Sequence, residues 1–186
     1  MKRVLPIFFV AGVLFFASCN KLEQFDDLYI RLNLSSKSLW FNFDSTGTVK
    51  SFEITKEGNY LNIDSILKTN SVDTTKIQSI KIYKINFAID TANGVSKEYN
   101  FDFLKNMSVS CKVDSPSFDF VDLGKVDSVK ASMMSFDMSV PNIEVKDLIR
   151  MEDLLYRMKG WNKKPMGKTK VIVTVNYTVD AALSNK

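Results

Sequence analysis

From residue 28 onward, apolar and polar side chains alternate with a period of two, as in strands that bury one face. Leu28, Ile30, Leu32 and Leu34 alternate with Tyr29, Arg31 and Asn33. Leu39, Phe41 and Phe43 follow, with Trp40 on the opposite face. Ser45-Thr46-Gly47 supplies a turn before Val49–Thr55, where Phe52 and Ile54 share a face, so the pair predicts a hairpin. Residues 61–70 (LNIDSILKTN) break the alternation and read as a short helix or turn crossing between sheets. The strand predicted over 76–90 carries Ile80 and Ile82 on even positions but Ile85, Phe87 and Ile89 on odd ones. A one-residue slip reverses every side chain, so a β-bulge near Tyr83-Lys84 is expected.

Thr91-Ala92-Asn93-Gly94 contains Asn-Gly, a hairpin signal, and predicts a return strand carrying Tyr99, Phe101 and Phe103. Met107, Val109, Cys111 and Val113 share one face of the next strand. After the Pro116 break, Phe118, Phe120 and Leu123 open another, and Met134, Phe136, Met138 and Val140 another still, ended by Pro141-Asn142. Residues 144–159 change period. Leu148, Met151, Leu155 and Met158 predict an amphipathic helix, with Asp153 and Arg157 paired along it and Gly160 at its C-terminal cap. The last strand places Val171, Val173, Val175, Tyr177 and Val179 on one face and Thr174, Asn176, Thr178 and Asp180 on the other, with Ile172 as the exception. Short strands separated by turns predict a mainly β chain. The expected architecture is an antiparallel β-sandwich, immunoglobulin-like or related, with one amphipathic helix near the C-terminus. A single late helix does not build repeating βαβ units, so a parallel sheet is not expected.

The first residues follow a different rule. Lys2 and Arg3 precede an unbroken apolar run, Val4 to Ala17, and no charge recurs before Lys21. A bilayer-spanning helix needs about 20 apolar residues, so this shorter run predicts a secretory signal peptide over residues 1–18. It ends in Phe16-Ala17-Ser18-Cys19, which resembles a bacterial lipobox; Phe at the first position is similar to the looser lipoboxes of Bacteroidetes lipoproteins. The resemblance implies cleavage before Cys19 and lipid, palmitate included, on its thiol and new amine. Each buried methylene contributes about 0.8 kcal/mol, so two or more acyl chains hold such a protein on a membrane. Residues 19–27 become the lipidated cysteine and a short tether, and residues 28–186 a single sandwich domain. Asn20 is not the acidic residue of inner-membrane retention, which makes the outer membrane the expected address, facing either the periplasm or the outside.

Loss of Lys2 and Arg3 leaves 23 of the 25 basic residues against 21 acidic ones, and this near-neutral balance argues against nucleic acid as a partner. With Cys19 lipidated, Cys111 has no partner and is expected to pack as a small hydrophobe. Met107, Met134, Met138, Met151 and Met158 fall on strand or helix stripes and are expected in the core. The chain has no histidine, so the usual Ser-His triads, Cys-His pairs and His-ligated zinc sites are excluded. Its seven glycines are scattered singly, without a phosphate loop, and its 21 carboxylates show no discriminating spacing. No catalytic residue, cofactor or metal site is expected.

The candidate contact segment is 159–168 (KGWNKKPMGK), with Lys159, Trp161, Lys163, Lys164, Met166 and Lys168 and no acid. Indole and ammonium groups together suit an anionic surface or partner. The chain therefore reads as a membrane-anchored, non-enzymatic binding or assembly module for an envelope protein or glycan. The alternatives are a carrier of hydrophobic ligands within the sandwich, a pilus-like subunit that shares strands such as 171–179, and a carboxylate-based hydrolase, which needs two acids facing one cleft.

Overall fold

The computed structural model describes residues 29–36, 38–44, 47–58, 69, 72–130, 132–149 and 154–183. The signal peptide expected over residues 1–18, Cys19 and the expected tether lie outside the described residues. So does the crossing expected over 61–70, apart from Thr69, which is helical. Among the described residues there are nine strands: β1 (Tyr29–Ser35), β2 (Leu39–Phe43), β3 (Ser51–Glu57), β4 (Val72–Ile89), β5 (Leu104–Val113), β6 (Val121–Val126), β7 (Ser135–Glu144), β8 (Leu154–Asn162) and β9 (Thr169–Leu183). A helical turn, α1 (Lys146–Ile149), follows β7 among the described residues of the β7–β8 connection.

All strand pairs are antiparallel. One sheet runs β1-β9-β4-β7, with β2 also on β9; the other runs β3-β8-β5-β6. β1 pairs with the second half of β9, Tyr29↔Ala182 to Ser35↔Asn176, and β2 with the first half, Leu39↔Val173 to Phe43↔Thr169. They form one edge strand interrupted at Ser36, whose backbone N–H donates to the Val175 carbonyl (2.8 Å) and whose Oγ accepts from the Val175 N–H (3.0 Å). With β1 and β2 taken together, each sheet has four strands, and from β2 onward every connection except β5–β6 changes sheet. That interleaving is a jelly roll, two Greek keys folded over each other. The predicted antiparallel sandwich is thus the one found, in the jelly-roll order. β9 has β1 and β2 on one side and β4 on the other, so residues 171–179 complete their own sheet.

The alternation places the core. Val171, Val173, Val175, Tyr177 and Val179 face inward from β9, and Met107, Val109, Cys111 and Val113 from β5. Phe rings from both sheets meet in a chain: Phe87 stacks on Phe136 (5.0 Å), and Phe101 meets Phe136 edge-on (4.8 Å). Phe43 touches Phe103 (5.8 Å) and Phe52 (5.0 Å). Full burial of each such ring stabilises the fold by roughly 1.5–3 kcal/mol. The Tyr156 and Tyr177 hydroxyls hydrogen-bond across the sandwich at 3.1 Å, tying β8 to β9. Cys111 is buried and unpaired with another cysteine, and burial pushes its thiol up to about 12, far from a reactive thiolate.

The bulge expected near Tyr83-Lys84 is present: the register of β4 shifts between Ile82 and Lys84 against both β7 and β9. Other local expectations are corrected. β2 and β3 do not form a hairpin, because they belong to different sheets. Ala92–Gly94 is a 3-10 turn with Gly94 at φ 68°, and no return strand pairs with β4, both of whose edges are taken by β7 and β9. Phe101–Phe103 is a second 3-10 turn; its two rings are buried, while Tyr99 is exposed. Phe118 and Phe120 precede β6, which buries Leu123. β7 continues past Pro141-Asn142 to Glu144 through a bulge opposite that of β4, with Asn142 at φ 47°. Met107, Met138 and Met158 are core residues, but Met134 is exposed beside β7; Met151 lies outside the described residues.

The largest correction concerns 144–159. Among the described residues its helix is the turn α1, and from Leu154 the chain is strand β8, with Leu154, Tyr156 and Met158 buried by period-two alternation. Met158 fits both periods, and β3 and β5 on either side offer backbone hydrogen bonds along β8 that outcompete the local helical preference. Gly160 is accordingly a mid-strand residue and not a helix cap.

Candidate functional site

Register assembles the outer face of the β3-β8-β5-β6 sheet into rows. Ser51, Trp161 and Asn106 form one row across β3, β8 and β5. Two residues along, Glu53, Lys159, Ser108 and Lys125 form the next, reaching β6. The row between them, Phe52, Gly160, Met107 and Val126, turns toward the interior. A groove of about 490 Å³ lies over these rows, and Asp127 joins its lining.

Two local devices shape it. The register of β5 against β8 shifts between Leu104 and Asn106, a bulge that re-aims Asn106 beside Trp161. Opposite it, a Cβ on Gly160 would lie 2.2 Å from the Asn106 carbonyl oxygen and 2.7 Å from Phe52 Cζ. The bare glycine therefore lets β5 and the Phe52 ring close on β8 and holds Trp161 on a firm strand.

Trp161 is 51% exposed on this strand. Around it, Lys159 Nζ lies 3.1 Å from Glu53 Oε2, and Lys125 Nζ lies 3.4 Å from Asp127 Oδ1. Two lysines thus face two carboxylates. Among the described residues, no side-chain hydrogen bond engages Ser51, Asn106, Ser108 or the Trp161 indole. The site thus offers an exposed aromatic plane ringed by open donors and acceptors, with charges that cancel. At the far end of the same face the surface is closed: the Phe120 ring lies 3.6 Å from the Arg157 guanidinium carbon, and Arg157 Nε donates to Ser110 Oγ (3.2 Å).

Of the residues singled out in the sequence, Lys159 and Trp161 line the groove together. Lys163, Lys164 and Lys168 are exposed on the β8–β9 connection and do not line it, and Met166 is buried there. That connection is anchored by Lys163 N–H to the Phe103 carbonyl and by Gly167 N–H to Glu98 Oε1 (2.9 Å). Segment 159–168 is thus part strand and part turn. Glu53, Asn106, Ser108, Lys125 and Asp127 carried no local signal. They come from three strands and, for Asp127, from the residue just after β6, and an isolated glycine between Lys159 and Trp161 was the one hint that backbones meet there.

The outer face of the other sheet is built differently. Arg31 forms a two-pronged bond to Asp180 (2.7 and 3.2 Å), Ser79 adds a third contact, and Ser35 donates to Asn176 (2.7 Å). Asn86 donates to Asp137, which also pairs with Lys84. The Arg31 hydrogen bond holds the Asp180 carboxyl below its usual range, and the bond from Lys170 does the same for Asp90. Trp40 on this face lies under Lys170 Nζ at 5.2 Å.

Among the described residues, no three cysteine or carboxylate side chains gather as metal ligands, and no helix is long and apolar enough to cross a membrane. No protein-family model matches the chain, and no curated protein matches it. Solved structures do. The decameric BFDV capsid protein shares 10% identity over 83% of this chain and 99% of its own, with a TM-score of 0.42. Turnip yellow mosaic virus shares 15% over 86% and 84%, with a TM-score of 0.40. Infectious bursal disease virus, Gt strain, shares 6% over 87% and 35%, with a TM-score of 0.38. Such likenesses transfer no function, and the jelly roll stands on the strand order itself.

Proposed function

We propose that the chain is a lipid-anchored envelope protein that acts without catalysis, as a binding or assembly module for a protein or glycan. The anchor is Cys19, and its expected address is the outer membrane. The observation that carries the binding reading is the groove around Trp161, where an exposed indole and open polar side chains share a rigid sheet face. Such combinations recur where ligands are recognised, because aromatic planes supply contact area and flanking polar groups supply orientation. The interior, occupied by Phe and Tyr rings, favours recognition on the surface over carriage of a hydrophobic ligand inside.

Two arms test the proposal in cells. Labelled palmitate enters the wild-type chain, which fractionates with membranes; Cys19→Ser takes no label and is released. An unlabelled, soluble wild type overturns the anchor. A photo-cross-linking side chain at Ser108 captures an envelope protein or glycan, whereas one at Thr178 on the opposite face does not. Equal capture from both faces overturns the groove as the binding surface.

A further inference from the structure

We propose that the Trp161 groove is a saccharide site and that its ligand is a neutral glycan. This rests on the binding-module reading above and names its ligand. A pyranose ring presents a face of C–H bonds and a rim of hydroxyl groups. The face needs an aromatic plane, and the rim needs donors and acceptors at the plane's edge. Trp161 supplies the plane, half exposed and held on a central strand. Asn106 supplies both donor and acceptor from the neighbouring position in its row, with Ser51 on the other side. Glu53 and Asp127 accept, and Lys125 and Lys159 donate, from the row beyond and the groove's side.

Charge selects among ligands. An anionic ligand gains from Lys125 and Lys159 but meets Glu53 and Asp127, each within 3.4 Å of those same lysines. A cationic ligand meets the reverse. A polyhydroxylated neutral ligand uses all four groups, since each hydroxyl both donates and accepts. An extended peptide is served less well. The groove lies over β8 and β5, whose backbones are already paired on both sides, so no free sheet edge is available there for strand addition. The groove's volume falls within the roughly 300–1,000 Å³ of small-ligand sites.

The test uses the full chain purified from membranes in detergent and carrying Trp40→Phe, so that Trp161 is the sole indole. It is titrated with hexasaccharides of neutral β-glucan, α-glucan, xylan, mannan and chitin type and with a polyuronate, followed by tryptophan fluorescence and calorimetry. The expected result is saturable binding of at least one neutral glycan with an altered Trp161 emission, insensitive to added salt. In calorimetry, Trp161→Ala weakens that binding by about tenfold or more, while Trp161→Phe retains most of it and Lys168→Gln leaves it unchanged. Silence across the neutral panel, binding undiminished in Trp161→Ala, or binding of the polyuronate alone overturns the saccharide assignment. Protein capture from Ser108 alongside a silent panel removes the sugar and leaves the binding module standing.

Discussion

The two outer faces of this sandwich are made by the same alternation and end in opposite conditions. On the β1-β9-β4-β7 face, polar side chains satisfy one another across strands: Arg31 with Asp180, Ser35 with Asn176, Asn86 and Lys84 with Asp137. On the β3-β8-β5-β6 face, Phe120 closes one end over Arg157, and the other end stays open around Trp161. Surface pairs of the first kind contribute little stability each, so their value lies in covering the face with bonds already made. The open end keeps its donors and acceptors for something else. A sandwich needs only its inner faces for stability, which leaves one outer face free for recognition.

The comparison breaks most completely from inside. Phe103→Ala removes a fully buried ring packed against Phe43 and Phe101 and is expected to cost about 3–5 kcal/mol, read as a drop in the midpoint of urea unfolding; a loss below about 1 kcal/mol contradicts the shared aromatic core. Gly160→Val comes next. Its side chain meets the Asn106 backbone, so a destabilisation of about 2–3 kcal/mol is expected, together with loss of the groove's shape. Gly124→Ala on the same sheet meets the flexible end of Met138 at 3.4 Å and the Ser139 carbonyl oxygen at an ordinary contact of 3.5 Å, and should cost under about 1 kcal/mol. Similar costs for both variants would mean that the close approach at Gly160 is not what shapes the face.

Tyr177→Phe removes one hydroxyl of the pair that links the sheets and is expected to cost about 1–2 kcal/mol in the same assay, leaving both faces intact. The smallest effect is electrostatic and belongs to the closed face. Because the folded Asp180 carboxyl lies below its unfolded range, its contribution is present above about pH 4 and is lost as pH falls through the folded value. Wild-type stability should therefore fall more steeply than that of Asp180→Asn between about pH 5 and pH 3, the two curves converging in acid. Parallel curves would show that the Arg31–Asp180 bond adds nothing.

The strands were legible because period two is a strict code when one face is buried, and even the phase reversal between Ile82 and Ile85 marked its bulge. Segment 144–159 is ambiguous in sequence because Leu148, Leu155 and Met158 also fit a helical stripe over a short span. Burial of Leu154 and Tyr156 between two waiting strands decided for β8. The hairpins at Gly47 and Gly94 failed for another reason: a turn signal says where the chain reverses, not which sheet it enters next. Of the site, Trp161 and Lys159 stood out by composition, while Asn106, Glu53 and Lys125 are ordinary strand residues until register places them alongside.

Taken by itself, then, the sequence determined the inward and outward sides of most strands, since alternation depends only on local order, while Met134 and the buried face of β8 escaped it. It also carries Phe16-Ala17-Ser18-Cys19, the lipobox-like run from which the membrane anchor is proposed. The tertiary structure decided the rest: the jelly-roll order, the strand identity of β8, and the groove itself. Each depends on pairings between segments far apart in the chain, whose free energy comes from cross-strand hydrogen bonds and shared burial that no local window contains.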